Sequence, residues 1–149
     1  MERFTRIVFL CFTILSLLPG LAQATKNEDN AANSNFNWEP VMEAIIQVES
    51  GGNRFAKSGK SVGAMQITPI CVKEVNLYLK QLNIKKAYTL KDRFSVKKSK
   101  EMFLLIQKRH NPKNSVERAI RAWNGGLKYT TKGTQRYYEK VTRAMNKTT

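Results

Sequence analysis

The stretch VMEAIIQVESGGN, Val41 to Asn53, decides how this chain is read. Val41, Ala44, Ile45 and Val48 recur at the i, i+3, i+4, i+7 spacing of a helix with one core-facing stripe. Glu49 follows four residues after Ile45 and seven after Met42, so it projects from that same apolar side. Glu43 and Gln47 fall on the other side, where polar residues meet water. A carboxylate on an apolar stripe loses hydration, which disfavours its charged form and raises its pKa. Protonated acid then persists toward neutral pH, as a general acid requires. The competing reading is a helix-end glutamate turned outward to solvent, with its neighbours forming a cap.

Working outward, Pro40 suits a first helical turn, and Gly51-Gly52 stops the helix after Glu49 or Ser50. The next segment, RFAKSGKSVGAMQITP, is dense in Gly and Ser and reads as loop with a short strand ending at Pro69. Helical spacing returns from Cys71 to Lys86 through Val72, Val75, Leu79 and Leu82. A further helix from Val96 to Lys108 places Met102, Phe103 and Ile106 on one side. His110 reads as a helix-end residue before Asn111-Pro112. Asn114 or Ser115 caps the following helix, with Glu117 reaching back as in a capping box. That helix breaks at Asn124-Gly125-Gly126, and a last one runs from Gln135 to Met145. No internal repeat is present. The pattern is a single, predominantly helical domain over residues 37–146, with one Gly/Ser-rich excursion directly after Glu49.

At 149 residues the chain suits one domain with a real core. Arg3 and Arg6, the apolar run IVFLCFTILSLL, the Pro19-Gly20 break and Ala22-Gln23-Ala24 have the layout of a secretory signal peptide over residues 1–24. An uncleaved anchor is the alternative, but the apolar run is shorter than the ~20 residues a span needs. Residues 25–36 read as a flexible, Asn-rich leader. Export implies the periplasm, or secretion where the host lacks an outer membrane. With Cys11 in the signal, Cys71 has no disulfide partner in the mature chain and reads as a small buried apolar residue. One His and one Cys do not make an ordinary ligand set, so neither a metal nor another cofactor is expected.

Removing Arg3, Arg6 and Glu2 from 26 basic and 11 acidic residues leaves 24 and 10, a net of +14. Such a surface favours a polyanion. An exported chain meets little nucleic acid, so an acidic wall or a membrane is the expected partner. The plainer reading is a solubilising surface.

The excursion after Glu49 carries Ser58, Ser61 and Gln66, groups that orient sugar hydroxyls. Trp123-Asn124-Gly125-Gly126 sets an aromatic face beside a turn, and Tyr137 and Tyr138 add two phenols. Aromatic faces with short polar groups suit a glycan cleft. Each has a duller alternative: Trp123 in the core, the tyrosines as half-buried helix, the Ser-Gly stretch as simple loop.

The order E-S-G-G-N (49–53), Ser58, G-A-M-Q-I-T-P (63–69), A-W-N-G-G (122–126) and T-x-x-Y (134–137) resembles the soluble lytic transglycosylase family. The resemblance spans Trp38 to Met145 and implies a lysozyme-like α+β fold acting on peptidoglycan glycan strands. It also implies that Glu49 is the single catalytic acid/base, followed by Ser50 as in the family pattern. Ser58, Gln66, Asn124 and Tyr137 match residues that lie at the family's active site or line its groove. Several positions depart from the pattern. The loop from Ser58 to Gly63 is one residue shorter than the commonest form, leaving Ser61 as a second candidate for the serine. Trp123 replaces the usual Tyr, Gly125 the usual Ala, Arg54 a common Pro, and Gly133 an acidic residue. None of these touches Glu49.

The resemblance implies non-hydrolytic cleavage of the β-1,4 bond between N-acetylmuramic acid and N-acetylglucosamine, with closure of a 1,6-anhydro ring. A single acid suffices there, and on the first helix neither Glu39 nor Glu43 shares the face of Glu49. A lysozyme-type muramidase of the usual two-carboxylate kind needs a second group ~5–9.5 Å away, for which Asp92, Glu101 and Glu117 are the candidates. Two further alternatives are a non-catalytic cationic module that docks on peptidoglycan and a membrane-active basic protein using the Val72–Lys86 helix. A monomer is expected. The small exported domain also resembles accessory transglycosylases that serve secretion, conjugation or pilus machines.

Overall fold

The computed structural model describes residues 36–148; the expected signal peptide and nearly all of the expected leader lie outside them. Among the described residues five α-helices carry the fold, with a two-stranded antiparallel hairpin between the first and second. Helix α1 spans Glu39–Ser50, strands β1 and β2 span Lys57–Ser58 and Ser61–Val62, and α2 spans Pro69–Gln81. A 3-10 turn at Leu90–Phe94 leads into α3 (Val96–His110), then α4 (Val116–Gly125) and α5 (Thr131–Thr148).

Helix α1 is the central element, packed most extensively on α5 and also on α4. Its stripe is buried as the spacing requires, with Val41, Ala44 and Ile45 at most 2% exposed. Met42 and Ile46 are buried as well, so α1 is enclosed on more than one side. On its polar side, Glu39 and Glu43 both accept hydrogen bonds from Lys100 of α3, while Gln47 faces solvent. The core continues through Val72, Val75, Met102, Phe103, Ile120 and Val141, with Trp38 edge-on to Phe103 at 5.6 Å.

Several element ends differ from the sequence expectation. Helix α2 stops at Gln81, where the chain turns through Leu82 and Asn83 (φ 55°), so Leu82 is exposed instead of joining the stripe. Ser115, not Asn114, caps α4 by accepting the Arg118 N–H. Glu117 is therefore one position early for a capping box and accepts from Arg121 Nε at 2.7 Å instead. Helix α5 starts at Thr131, four residues before the expected Gln135. Thr130 accepts the Gly133 N–H through its hydroxyl, which nucleates helix across a Thr-Thr-Lys-Gly stretch that reads as turn.

Among the described residues two arginines are buried, contrary to a reading of the basic charge as surface alone. Arg93 is 9% exposed and Arg121 is 3% exposed. Arg93 donates Nη1 to the carbonyls of Lys60 (3.0 Å) and Ile67 (3.2 Å), clasping the hairpin from the 3-10 turn. The closest approach falls at Gly63, whose φ is +82°: a Cβ there would stand 1.9 Å from the Arg93 carbonyl oxygen. Glycine is required by both the backbone conformation and the space. Gly63→Ala is expected to cost on the order of 3–5 kcal/mol, combining left-handed strain with overpacking. Denaturant unfolding against the parent chain measures it.

Candidate active site

The site begins where α1 ends. Gly51, at φ 60°, turns the chain left-handed; its N–H returns to the Gln47 carbonyl and the Gly52 N–H to that of Ile46. Asn53 ties the following turn by accepting the Phe55 N–H at 2.9 Å. Ser50 then joins the helix end to the excursion, its hydroxyl donating to the Ala64 carbonyl at 2.8 Å.

A cleft of about 520 Å³ opens beside Glu49, lined also by Ser58, Ser61, Gln66, Trp123 and Asn124. Five of the six residues expected at the site thus meet on one wall system. Ser58 and Ser61 are direct cross-strand partners in the hairpin, so both present to the same face and both line the cleft. Gln66 sits at φ 52° and donates Nε2 to the Gly63 carbonyl at 2.8 Å, which fixes its amide at the turn. Trp123 serves core and cleft together. Its ring packs on Phe103 at 5.2 Å, its Nε1 donates to the Met65 carbonyl at 3.2 Å, and the remaining face lines the cleft.

The sixth residue, Tyr137, is not on the cleft wall. It donates its hydroxyl to Glu49 Oε1 at 2.7 Å from α5. Burial raises the pKa of Glu49, and the Tyr137 hydrogen bond lowers it by a smaller amount. Burial and the neighbouring Glu49 carboxylate push the Tyr137 phenol well above its ordinary range, so it stays protonated and keeps a proton to donate to Glu49. Glu49 is thus a half-buried carboxyl, held in one rotamer and biased toward its protonated form.

Asp92, Glu101 and Glu117, the expected sources of a second carboxylate, do not line this cleft. Asp92 closes the capping box of the 3-10 turn and pairs with Lys98; Glu101 pairs with Lys86; Glu117 pairs with Arg121. The structure instead brings in Glu74, which the sequence reading passed over. Its Oε1 lies 2.9 Å from His110 Nε2 and 3.3 Å from Arg109 Nε, so it is committed to two basic partners. The available signal was its spacing, three residues after Cys71 on one helix. Cys71 is half-buried on the cleft wall, not sealed in the core. Burial and the nearby Glu74 push its thiol up to about 12, so it is no thiolate nucleophile at neutral pH. Among the described residues no group of three or more His, Cys, Asp or Glu could hold a metal ion.

The Tyr137 bond can be tested on its own. Tyr137→Phe removes the one lowering influence on Glu49 and leaves burial in place, so the Glu49 titration should move further up. Carboxyl-carbon NMR of the two proteins reads that shift directly; a downward or absent shift would show that the hydroxyl does not hold the carboxylate.

The family model described as Transglycosylase SLT domain matches residues 26–146. No curated protein and no solved structure matches the chain significantly. The match covers most of the chain and contains every cleft residue described above, within a helical, lysozyme-like domain. This chain belongs to the transglycosylase SLT domain family, the peptidoglycan lytic transglycosylases.

Proposed function

We propose that Glu49 is the single general acid/base of this enzyme, and that it cleaves the β-1,4 bond between N-acetylmuramic acid and N-acetylglucosamine without water. The observation that carries this reading is a half-buried carboxyl on the cleft wall, its pKa raised by burial and its position fixed by Tyr137. Protonated Glu49 gives its proton to the departing glycosidic oxygen. The muramic acid's own acetamide supports the developing positive charge at the anomeric carbon. Glu49, now a carboxylate, takes the proton of the 6-hydroxyl as that oxygen closes the 1,6-anhydro ring, and is protonated again. Proton and electron pairs balance without a second protein carboxylate. Glu74, the other acid lining the cleft among the described residues, is engaged by Arg109 and His110, which favours this single-acid route over a two-carboxylate muramidase.

Export through residues 1–24 would deliver the enzyme to its substrate in the periplasm. The signal-like layout supports that location, and the net +14 of the remaining chain supports attraction to an acidic wall. The small single domain suits local wall opening for a secretion, conjugation or pilus apparatus.

Digestion of purified sacculi with the mature chain, with fragments weighed by mass spectrometry, tests the reaction. Muropeptides one water lighter than the reducing form are expected, with release falling by about 10²–10⁴-fold in Glu49→Gln. Full-mass reducing ends would make the enzyme a hydrolase. The same variant carries a stability signature. With its folded pKa above the ordinary 4.5, Glu49 is neutral in both states below that value. The unfolded chain releases the proton first as pH rises, so stability falls up to the folded pKa and stays lowered above it. Glu49→Gln removes that loss and is expected to melt higher than the parent at pH 7 while being inactive.

A further inference from the structure

At the corner between α3 and α4, Asn111 is 3% exposed and pairs with the backbone of Ser115 in both directions. Its Oδ1 accepts the Ser115 N–H at 3.0 Å and its Nδ2 donates to the Ser115 carbonyl at 2.8 Å. A backbone N–H and a backbone carbonyl cannot exchange roles, so this pair fixes which end of the Asn111 amide is nitrogen. The same Nδ2 donates to Gln107 Oε1 at 3.0 Å. Gln107 must therefore present its oxygen to Asn111 and turn its Nε2 amine the other way.

Gln107 is 4% exposed and lines the cleft that Glu49 opens into. Its Nε2 has no partner among the described residues. No side-chain nitrogen or oxygen sealed from solvent lacks a partner among them, so the opening left to this amine is the cleft. An NH2 group on a largely buried side chain, oriented by two successive amides and open only toward the cleft, is a donor placed to meet an acceptor there. Cys71 and Ile106 line the same cleft and supply apolar surface, while the Glu74–His110 pair, already satisfied, makes a polar wall.

We propose that Gln107 Nε2 donates to an amide carbonyl of the bound glycan strand, making this part of the cleft a substrate-positioning subsite. The proposal rests on the reading that Glu49's cleft is where the strand is cut. Peptidoglycan offers amide carbonyls from two sources, the N-acetyl groups of its sugars and the peptide stems they carry. An acetamide suits the site in both parts, its oxygen toward Nε2 and its methyl toward Cys71 and Ile106.

Binding is measured in the Glu49→Gln background, so that no cleavage intervenes, with and without Gln107→Leu. Leucine keeps the volume, and Asn111 Nδ2 keeps its Ser115 partner. The two probes are a tetramer of N-acetylglucosamine, which has no stem, and stem-bearing glycan strands. Gln107→Leu is expected to weaken both by about 3- to 10-fold, the worth of one neutral hydrogen bond. Weakening of the stem-bearing strands alone would support the subsite and assign it to the stem. Unchanged dissociation constants for both would overturn it. In the otherwise unaltered enzyme, Gln107→Leu should raise KM with kcat and the pH profile kept; a loss in kcat alone would overturn it too. Should the leucine variant not fold, the Gln107 side-chain amide resonances of full-length Glu49→Gln report instead. Their shift on adding the tetramer or the strands supports the subsite, and their indifference to both overturns it. Cleavage surviving in Glu49→Gln would refute the underlying reading separately, whatever Gln107 does.

Discussion

The cleft depends on the carbonyls of one short turn. Residues 63–67 cross the mouth of the helical core with little regular structure of their own, so three of their oxygens take side-chain donors from other elements. Ser50 at the end of α1 supplies the Ala64 oxygen, Trp123 in α4 supplies the Met65 oxygen, and Arg93 in the 3-10 turn supplies the Ile67 oxygen. Three elements distant in sequence are thereby drawn onto a single strip of backbone. Gly63 allows that strip to touch Arg93, and Gln66 accepts a left-handed conformation to face inward. Glu49 stands one residue before the first of those donors, so the clasp that shapes the wall also sets the acid's position against it.

On the opposite side the acid is steadied from α5. Tyr137 reaches Glu49 because α4 and α5 are locked together by Arg121, which donates to Glu117, the Thr131 carbonyl, Thr134 and Gln135 and stacks on Tyr138 at 4.3 Å. A guanidinium suits this work, since its planar fork satisfies several acceptors while its face rests on a ring. Thr134, within the sequence pattern that carried the family resemblance, is buried in this lock and does not line the cleft. The residues that make the pattern legible are thus partly chemical and partly the brackets that hold the chemical ones.

Much of this was readable from residues alone. The α1 stripe announced both a helix and an anomalous carboxyl, because period and polarity conflict at Glu49. The serines, Gln66, Trp123 and Asn124 met in one cleft because their motifs sit next to chain-reversing glycines. What escaped was set by long-range packing. Glu74 and Gln107 sit on ordinary helical patterns, and only the docking of α2 beside α3 turns them to the cleft. The start of α5 was hidden because Gly133 and three threonines suggest turn until Thr130 supplies a cap. Buried Arg93 and Arg121 could not be told from two dozen other cations without the carbonyls they serve.

The cleft wall also carries a thiol, and its surroundings determine how that thiol ages. Disulfide exchange proceeds through the thiolate, and at pH 7 a group with a pKa of about 12 is ionised on the order of one part in 10⁵. Cys71 is the lone free cysteine among the described residues, so any disulfide it formed with them would join two chains. Half-burial and the charge of Glu74 slow that coupling. Under oxidising conditions the protein can therefore keep an unpaired cysteine on the wall of the Glu49 cleft without being driven into covalent dimers.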